Sequence, residues 1–401
     1  MENQQKNVTR ILILMAIMQF TNAMDFMIIM PLSVHLIPKF NINSSQFSML
    51  VAIYAFSAFA SSVSASFYAD KFDRKKVLLA AYVGLVAGTL FCGLANSFST
   101  MLLARCFTGI FGGLIGAQTL AIAGDIVPFE RRGKAVGILM SGFSLASVAG
   151  VPVGIYLANT FSWHIPFITI ASIGFLLIPF CFSIIPSVTA HIKSNDNGQN
   201  FEVYKSIVAD KKQQGALLMM FTLTVSHFSI IPFIAPYMES NVGFTKNQLA
   251  LIYFVGGAVT LVSSPLIGKL ADKYGKFKTF FVLILFSFIP VILITNMPAI
   301  PVYQALIVTA FFFIFGSGRM IPSQAIATSV VGNKLRGSFM NINSSVMQLA
   351  TGIASLIAGL IVTRSNSGTI FNYQWVGLFS VAMCIICIVV AFRLQKQINL
   401  K

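Results

Sequence analysis

Charged residues are rare in this chain. Asp, Glu, Lys and Arg together make up 9% of the 401 residues, against roughly 25% in soluble domains. Hydrophobic residues make up 56%. Water could not solvate a folded surface of this composition, so the low charge excludes a soluble globular protein and predicts a chain that lies in the lipid bilayer.

The sequence also lacks the short alternating segments of a membrane β-barrel. Its apolar runs are about 20 residues long, the length that crosses a bilayer as a helix, and helices satisfy their own backbone hydrogen bonds in lipid. We therefore predict an all-α membrane protein with twelve transmembrane helices. Their approximate ranges are 10–38, 46–69, 77–96, 100–124, 134–159, 163–186, 214–238, 247–268, 278–297, 301–331, 337–363 and 370–393.

Reactive groups are missing from the loops. No loop contains a nucleophile, a metal-binding cluster or a pair of carboxylates, so we expect no enzymatic activity, no metal and no cofactor. The five cysteines all fall inside apolar runs. No histidine or carboxylate accompanies Cys384 and Cys387, which favours packed thiols over a metal site.

The cations are distributed unevenly, and this predicts the topology. A net charge of +16 raises the possibility of a nucleic-acid partner, but the charges lie in short loops between apolar runs, which argues against one. With the N-terminus in the cytoplasm, 22 Lys and Arg residues fall on the inner side and three on the outer side. The positive-inside rule therefore places both termini in the cytoplasm of a plasma-membrane protein.

One cytoplasmic loop occurs twice. Ala69-Asp70-Lys71 follows span 2 and Ala271-Asp272-Lys273 follows span 8, 202 residues later. A loop duplicated at half the chain length predicts two repeats of one structural unit. We predict a first six-helix bundle at 1–186, a cytoplasmic linker at 187–213 and a second six-helix bundle at 214–401.

Several motifs carry a resemblance to a known family. The duplicated loop is similar to the G-x-L-A-D-x-x-G-R-K loop of the major facilitator superfamily, although Asp73 stands where the first copy usually has Gly. Arg105-x-x-Thr108-Gly109 in span 4 is similar to the R-x-x-Q-G motif of that family. Further similarities are Met24-Asp25-Phe26 in span 1 and Ala146-x-x-x-Gly150-Val151-Pro152-x-Gly154 in span 5, which resemble motifs of the twelve-span drug:proton antiporters.

This resemblance implies a monomeric secondary transporter that exports a small organic molecule or drug by alternating access, driven by the proton gradient; the nearest branch resembles the arabinose efflux permeases. The alternative is a proton-linked or uncoupled importer of a small metabolite such as a sugar, nucleoside or amino acid. A receptor or scaffold of the same fold is disfavoured, because the sequence has no sizeable soluble domain. The bilayer and the small-molecule substrate are the expected partners.

Asp25 is the only carboxylate deep inside a predicted span. Thr21 and Asn22 lie one turn before it on the same helix face. Burial makes an ionised carboxylate costly, so Asp25 is a candidate for proton coupling or for substrate contact. The alternative is a carboxylate held permanently by Asn22 or Arg105, since Arg105 lies at a matching depth in span 4.

Other polar groups in the spans complete the predicted cavity. We expect Arg319 in span 10 to line an aqueous cavity or to extend to the headgroups. His227, five residues before Pro232 in span 7, is a second candidate for proton coupling, with simple packing as the alternative. Gln118 and Gln324 are assigned to the same cavity.

Two further groups of residues, one in span 5 and one in the cytoplasmic loops, are predicted to have structural roles. Gly150, Pro152 and Gly154 are predicted to pack span 5 closely against a neighbour; in the family this stretch packs the two halves together and is associated with leak control. Four charged residues are predicted to form a conformational latch at the cytoplasmic side, with Arg74 pairing with Asp125. These are Asp70, Arg74, Asp125 and Asp272. The alternative is that these charges only orient the loops.

Overall fold

A computed structural model of the chain describes residues 2–68, 71–128, 131–189, 205–207, 209–332, 335–365 and 368–399. Within these ranges twelve helical segments are long and apolar enough to cross a membrane, which confirms the predicted fold class. Nine spans contain one principal helix each. They are Glu2–Ile28, Ser44–Tyr68, Arg74–Gly93, Phe98–Ile126, His164–Ile184, Lys211–Tyr237, Lys246–Tyr274, Arg336–Ile361 and Tyr373–Asn399, which are spans 1 to 4, 6 to 8, 11 and 12.

Three spans are interrupted. Span 5 contains the helices Arg132–Leu145 and Val151–Thr160, joined by a π-helical turn at Ala146–Gly150. Span 9 is divided into Lys276–Phe286 and Phe288–Thr295, and span 10 into Val302–Gly318 and Met320–Ser329. A second π-helical turn, Met238–Val242, extends span 7. These interruptions matter because irregular backbone inside a membrane protein often marks a functional position.

Span 1 is shorter than the predicted range of 10–38. Its helix ends at Ile28, and a separate helix, Ser33–Phe40, follows after a turn. Pro31 accounts for the break, because proline lacks an amide hydrogen and disfavours helical backbone at the residue before it. A two-stranded antiparallel ribbon, Thr363–Arg364 with Ile370–Phe371, connects spans 11 and 12.

Polar side chains determine where several helices begin. Asp73 accepts a hydrogen bond from the Lys75 amide at the start of span 3, and Asp210 does the same at the start of span 7. Ser97 and Thr245 begin spans 4 and 8 with reciprocal capping boxes. Each cap satisfies amide groups that the helix leaves unpaired and contributes about 1 kcal/mol.

By internal contacts the chain divides into two units. The first comprises Met1–Ile29 and Ile53–Asn200, and the second comprises Met30–Ala52 and Phe201–Lys401. The core of the first includes residues of spans 1 to 6 around Tyr82 and Ile115, and that of the second includes residues of spans 7 and 9 to 12 around Phe280. The division of the sequence into bundles at 1–186 and 214–401 remains a prediction.

Candidate functional site

Asp25 lies in the interior of the first unit, where spans 3 and 4 supply its hydrogen-bond donors. Thr89 Oγ1 donates to Asp25 Oδ1 at 2.9 Å. Arg105 Nη1 donates to Asp25 Oδ2 at 2.9 Å and to the backbone oxygen of Asp25 at 3.2 Å. The side chains of both Asp25 and Arg105 are 0% exposed. The predicted pairing at matched depth is therefore present as a fully buried ion pair.

Tyr54 in span 2 completes this cluster from the other side of Arg105. The guanidinium carbon lies 4.4 Å from the centre of the Tyr54 ring, a cation–π distance, and the Tyr54 hydroxyl donates to Asn22 Oδ1 at 3.1 Å. Gly112 in span 4 lies against this pair, and a Cβ at that position would meet both the Tyr54 hydroxyl and the Asn22 amide oxygen. The glycine thus gives the two polar groups room to meet.

The charges in this cluster are one carboxylate, Asp25, and one guanidinium, Arg105, and each is the main counter-charge of the other. Arg105 Nε and Nη2 have no hydrogen-bond partner among the described residues. A neutral pair tolerates burial, but a single charge left there costs several kcal/mol. Any proton that binds Asp25 therefore leaves the charge of Arg105 unbalanced, so protonation and the arrangement of the cluster are energetically coupled.

Among the described residues, the others predicted to accompany Asp25 form no hydrogen bond with its side chain. Thr21 is buried, where its hydroxyl donates to the Met18 carbonyl and lies 3.2 Å from the Tyr82 hydroxyl. Asn22 is held by Tyr54, so the hypothesis of an Asn22 hydrogen bond to Asp25 is not supported. Gln118 is buried in span 4, and its Oε1 has no partner within the described ranges. We did not predict Thr89, because one threonine in an apolar helix carries no distinguishing signal.

Arg319 occupies a comparable interior position in the second unit. Its Nη1 donates to Ser287 Oγ in span 9 at 2.8 Å and lies 2.8 Å from Cys384 Sγ in span 12. Its Nη2 donates to Ser226 Oγ in span 7 at 3.0 Å. The side chain is 0% exposed and its partners are internal, so Arg319 does not extend to the headgroups in this structure; its place in a cavity remains a prediction. Ser226, Ser287 and Cys384 had not been predicted.

His227 and Gln324 lie in the same unit in different surroundings. The His227 ring is 7% exposed and stacks on Phe312 with 5.5 Å between centroids. Its Nδ1 has no partner among the described residues. Gln324 is partly buried and accepts a hydrogen bond from Asn343 Nδ2 at 3.2 Å. The structure therefore brings His227 close to the Arg319 network through Ser226, but not Gln324.

The span 5 motif lies against span 1 of the same unit. A Cβ on Gly150 would be 3.0 Å from Met24 Sδ, and one on Gly154 would be 2.6 Å from Ile28 Cδ1. The π-helical turn ends at Gly150, and Pro152 lies two residues later. Since proline has no amide hydrogen, the irregular turn accommodates a position where the α-helical ladder is broken. The expected close packing is present, next to the helix that carries Asp25.

Part of the predicted latch is visible at the end of the first unit that the sequence predicts to face the cytoplasm. Arg74 Nη1 lies 3.2 Å from Asp125 Oδ2, so the predicted ion pair is formed. Asp272 is exposed at the end of span 8. Asp70 lies outside the described residues. Whether these charges act as a latch remains a proposal.

Asp73, which departs from the family pattern, has a structural role in this loop. Besides capping span 3, it accepts hydrogen bonds from the Ser187 hydroxyl at 2.6 Å and from the Val188 amide at 2.9 Å. Partial burial acts to raise its pKa, but the hydrogen bonds from Ser187, Val188 and Lys75 outweigh this and hold the pKa of the Asp73 carboxyl below its usual value. Asp73 therefore ties the segment after span 6 to the loop before span 3.

Twelve spans and charged residues buried in their interior define a class of protein: a polytopic membrane transporter in which ionisable groups are kept away from lipid. The family profile described as Major Facilitator Superfamily matches residues 15–224 and 216–399. The chain belongs to the major facilitator superfamily, whose members carry out secondary transport and are not enzymes.

Individual relatives agree with this assignment at low identity. The chain is 24% identical over 344 residues to the uncharacterized MFS-type transporter YceJ of Bacillus subtilis, covering 85% of this chain and 86% of that protein. It is 25% identical over 390 residues to YwfA of the same organism, covering 94% and 90%. A crystal structure of a bacterial homologue of the human lysosomal transporter Spinster, inward-facing and unoccupied, superposes with a TM-score of 0.80 at 16% identity over 97% of each chain. This structural likeness shows the fold.

Proposed function

We propose that this transporter exports a small organic molecule in exchange for protons, with Asp25 as the proton-carrying group. The observation that carries the proposal is the buried cluster of Asp25, Thr89 and Arg105. An antiporter needs a group that takes up a proton on one side of the membrane and releases it on the other. Asp25 is the carboxylate that meets this requirement in the interior of the spans.

The coupling follows from charge balance. When Asp25 is ionised, Arg105 is neutralised and the cluster is stable without a ligand. When a proton binds Asp25, Arg105 loses its counter-charge, which favours a different arrangement of spans 1, 3 and 4. Proton binding would thereby shift the equilibrium between the two access states, and the gradient would supply the free energy of transport. His227 remains the second candidate for proton transfer.

The packing around span 1 supports this role for the cluster. Gly150 and Gly154 hold span 5 against Met24 and Ile28, on either side of Asp25 in the sequence. Movement of span 1 would therefore be transmitted to span 5, since close contacts leave little room for independent motion. The span 5 motif favours export over the alternative of a metabolite importer by its resemblance to the antiporters.

The proposed mechanism also requires a membrane location, a topology and two access states. We infer that the protein acts in the plasma membrane with both termini in the cytoplasm, as the distribution of Lys and Arg favours. Two six-helix halves, 1–186 and 214–401, would expose the substrate to the two sides in turn. The Arg74–Asp125 ion pair, together with Asp70 and Asp272, would stabilise one of these states from the cytoplasmic side.

Everted membrane vesicles provide the test. Respiration acidifies the vesicle interior, and a proton antiporter dissipates this gradient when its substrate is added, which a pH-sensitive fluorescent dye reports. We expect some members of a chemically diverse compound library to dissipate the gradient with the wild type but not with Asp25→Asn. The matched control is Glu239→Gln, which removes a carboxylate at the end of span 7 and should retain activity. Equal responses from wild type and Asp25→Asn for every active compound would refute the role of Asp25.

A further inference from the structure

In the described part of the second unit, no carboxylate forms an ion pair with the buried Arg319. Among the residues that this unit comprises, the sequence contains four acids, Glu202, Asp210, Glu239 and Asp272. Asp210 caps the start of span 7, and Glu239 lies in the turn at its end. At 1.5 Å per residue they are about 24 Å and 20 Å along the helix from Ser226, the Arg319 partner. Among the described residues Arg319 has no carboxylate partner, and its hydrogen bonds go to Ser226, Ser287 and Cys384.

The buried arginine of the first unit has a carboxylate partner, which the buried arginine of the second unit lacks among the described residues. In the first unit Arg105 of span 4 donates to Asp25 of span 1, which also accepts from Thr89 of span 3. In the second unit Arg319 of span 10 donates directly to Ser226 of span 7 and Ser287 of span 9. The first unit supplies a carboxylate at this place, whereas the second supplies a serine. A buried, unpaired guanidinium costs several kcal/mol, so a negative charge from outside the protein would stabilise it.

Two helix breaks meet at Arg319. Span 10 is divided at Arg319 and span 9 at Ser287, and each break lies three residues before a proline, Pro322 and Pro290. Proline cannot donate to the carbonyl four residues earlier, so both helices are interrupted where the two side chains bond to each other. Both breaks are local, because the Arg319 and Ser287 amides still donate to the Phe315 and Leu283 carbonyls; each proline removes one amide donor beside the two side chains.

Two buried polar nitrogens near this junction are unused. Arg319 Nε and His227 Nδ1 have no hydrogen-bond partner among the described residues. His227 follows Ser226 in the chain, and its ring lies against Gly316, one turn before Arg319, where a Cβ would be 3.2 Å from the ring. His227 keeps a small exposed edge, whereas Arg319 has none, so a ligand would approach from the side of His227.

We propose that the junction of spans 9 and 10 binds the carboxylate of an organic monoanion, with Arg319 as its counter-charge and His227 as a further donor. One uncompensated cation balances one negative charge, which favours a carboxylate over a doubly charged phosphate. Phe228 and Phe312 flank His227 with their rings, so the body of the ligand would be apolar or aromatic. That this anion is the transported cargo rests on the proposed export function; its binding does not.

Charge replacement in the purified protein gives the first test. Ser226→Asp places a carboxylate at the atom that already accepts from Arg319, so we expect the melting temperature to rise by several degrees in the absence of ligand. The matched control, Ser229→Asp, adds the same charge one turn later on span 7, where the serine hydroxyl bonds only to the Ser226 carbonyl, and should lower it. If Ser226→Asp leaves the melting temperature unchanged or lowers it, Arg319 is already balanced without an added carboxylate, which would overturn the proposal.

Ligand binding gives the second test, again without transport. The probes are benzoate, 2-naphthoate and octanoate, compared with the matched alcohols and amines at equal ionic strength. We expect at least one carboxylate to raise the melting temperature of the wild type, with no such effect from its alcohol or amine, and we expect the shift to disappear in Ser226→Asp and in Arg319→Met. Equal shifts for acids, alcohols and amines, or an acid effect that persists in Ser226→Asp, would contradict the proposal. Because no gradient is involved, failure here leaves the vesicle assay for Asp25 unaffected.

Discussion

Separating the two charges of the buried ion pair should destabilise the protein strongly, while removing both should not. In Arg105→Met the carboxylate of Asp25 keeps only Thr89 as a donor, and in Asp25→Asn the guanidinium of Arg105 keeps only neutral neighbours and the Tyr54 ring. Both side chains are 0% exposed, so water does not compensate either loss. Each single variant should therefore cost about 3–5 kcal/mol.

The double variant Asp25→Asn/Arg105→Met contains no buried charge at this place. We expect it to lose less stability than either single variant, which requires a coupling free energy larger than the loss of about 3–5 kcal/mol in each single variant. The assay is the thermal melting temperature in detergent at pH 8, where each single variant should melt on the order of 5–10 °C below the wild type. If the double variant melts below the wild type by the sum of the two single shifts, the pair is not coupled and the charge-balance reasoning fails.

Three further predictions concern packing, the linker and topology. Gly154→Leu should abolish transport and lower the melting temperature, because a Cβ alone would already be 2.6 Å from Ile28; wild-type activity would show that spans 1 and 5 need not approach closely. The pKa of Asp73 is lowered, so its hydrogen bonds to the segment at Ser187 persist at neutral pH and are lost only as the pH falls below about 4, through the folded pKa. Asp73→Asn should therefore speed amide hydrogen exchange at residues 187–188 at pH 7. Unchanged exchange would contradict this. A single cysteine in place of Asn197 should react with a membrane-impermeant thiol reagent only in everted vesicles, and labelling from outside intact cells would overturn the predicted topology.

The sequence was sufficient to predict the spans because membrane helices obey strong physical constraints. A helix must bury about 20 apolar residues to cross the bilayer, and few other patterns satisfy that requirement. The same reasoning located Asp25 and matched it to Arg105, since charges inside a span are rare and their depth follows from the helix rise. The error in span 1 came from treating an apolar run as one helix despite Pro31, which ends it.

The neutral partners of the charges could not be predicted in this way. Thr89, Ser226 and Ser287 are ordinary residues of transmembrane helices, and only the rotation of each helix brings their hydroxyls to a guanidinium. Arg319 was assigned to a cavity because a lone arginine in a span has two inexpensive environments, water and headgroups. In the structure Arg319 occupies a third environment, a buried network of hydrogen-bond acceptors. This network depends on how spans 9 and 10 pack near Pro290 and Pro322, which is a property of the tertiary fold.

The central claim is that Asp25 carries the coupled proton, and transport by the reconstituted Asp25→Asn protein tests it most directly. Once the vesicle screen has supplied a substrate, proteoliposomes are loaded with it and efflux is followed with and without an imposed pH gradient. Asparagine keeps the size and hydrogen-bonding capacity of the side chain but cannot ionise. We predict that the gradient will no longer accelerate efflux, while exchange of labelled for unlabelled substrate without a gradient continues. Gradient-driven efflux at the wild-type rate would contradict the account. It would indicate that a group other than Asp25 carries the proton, and His227 would be tested next.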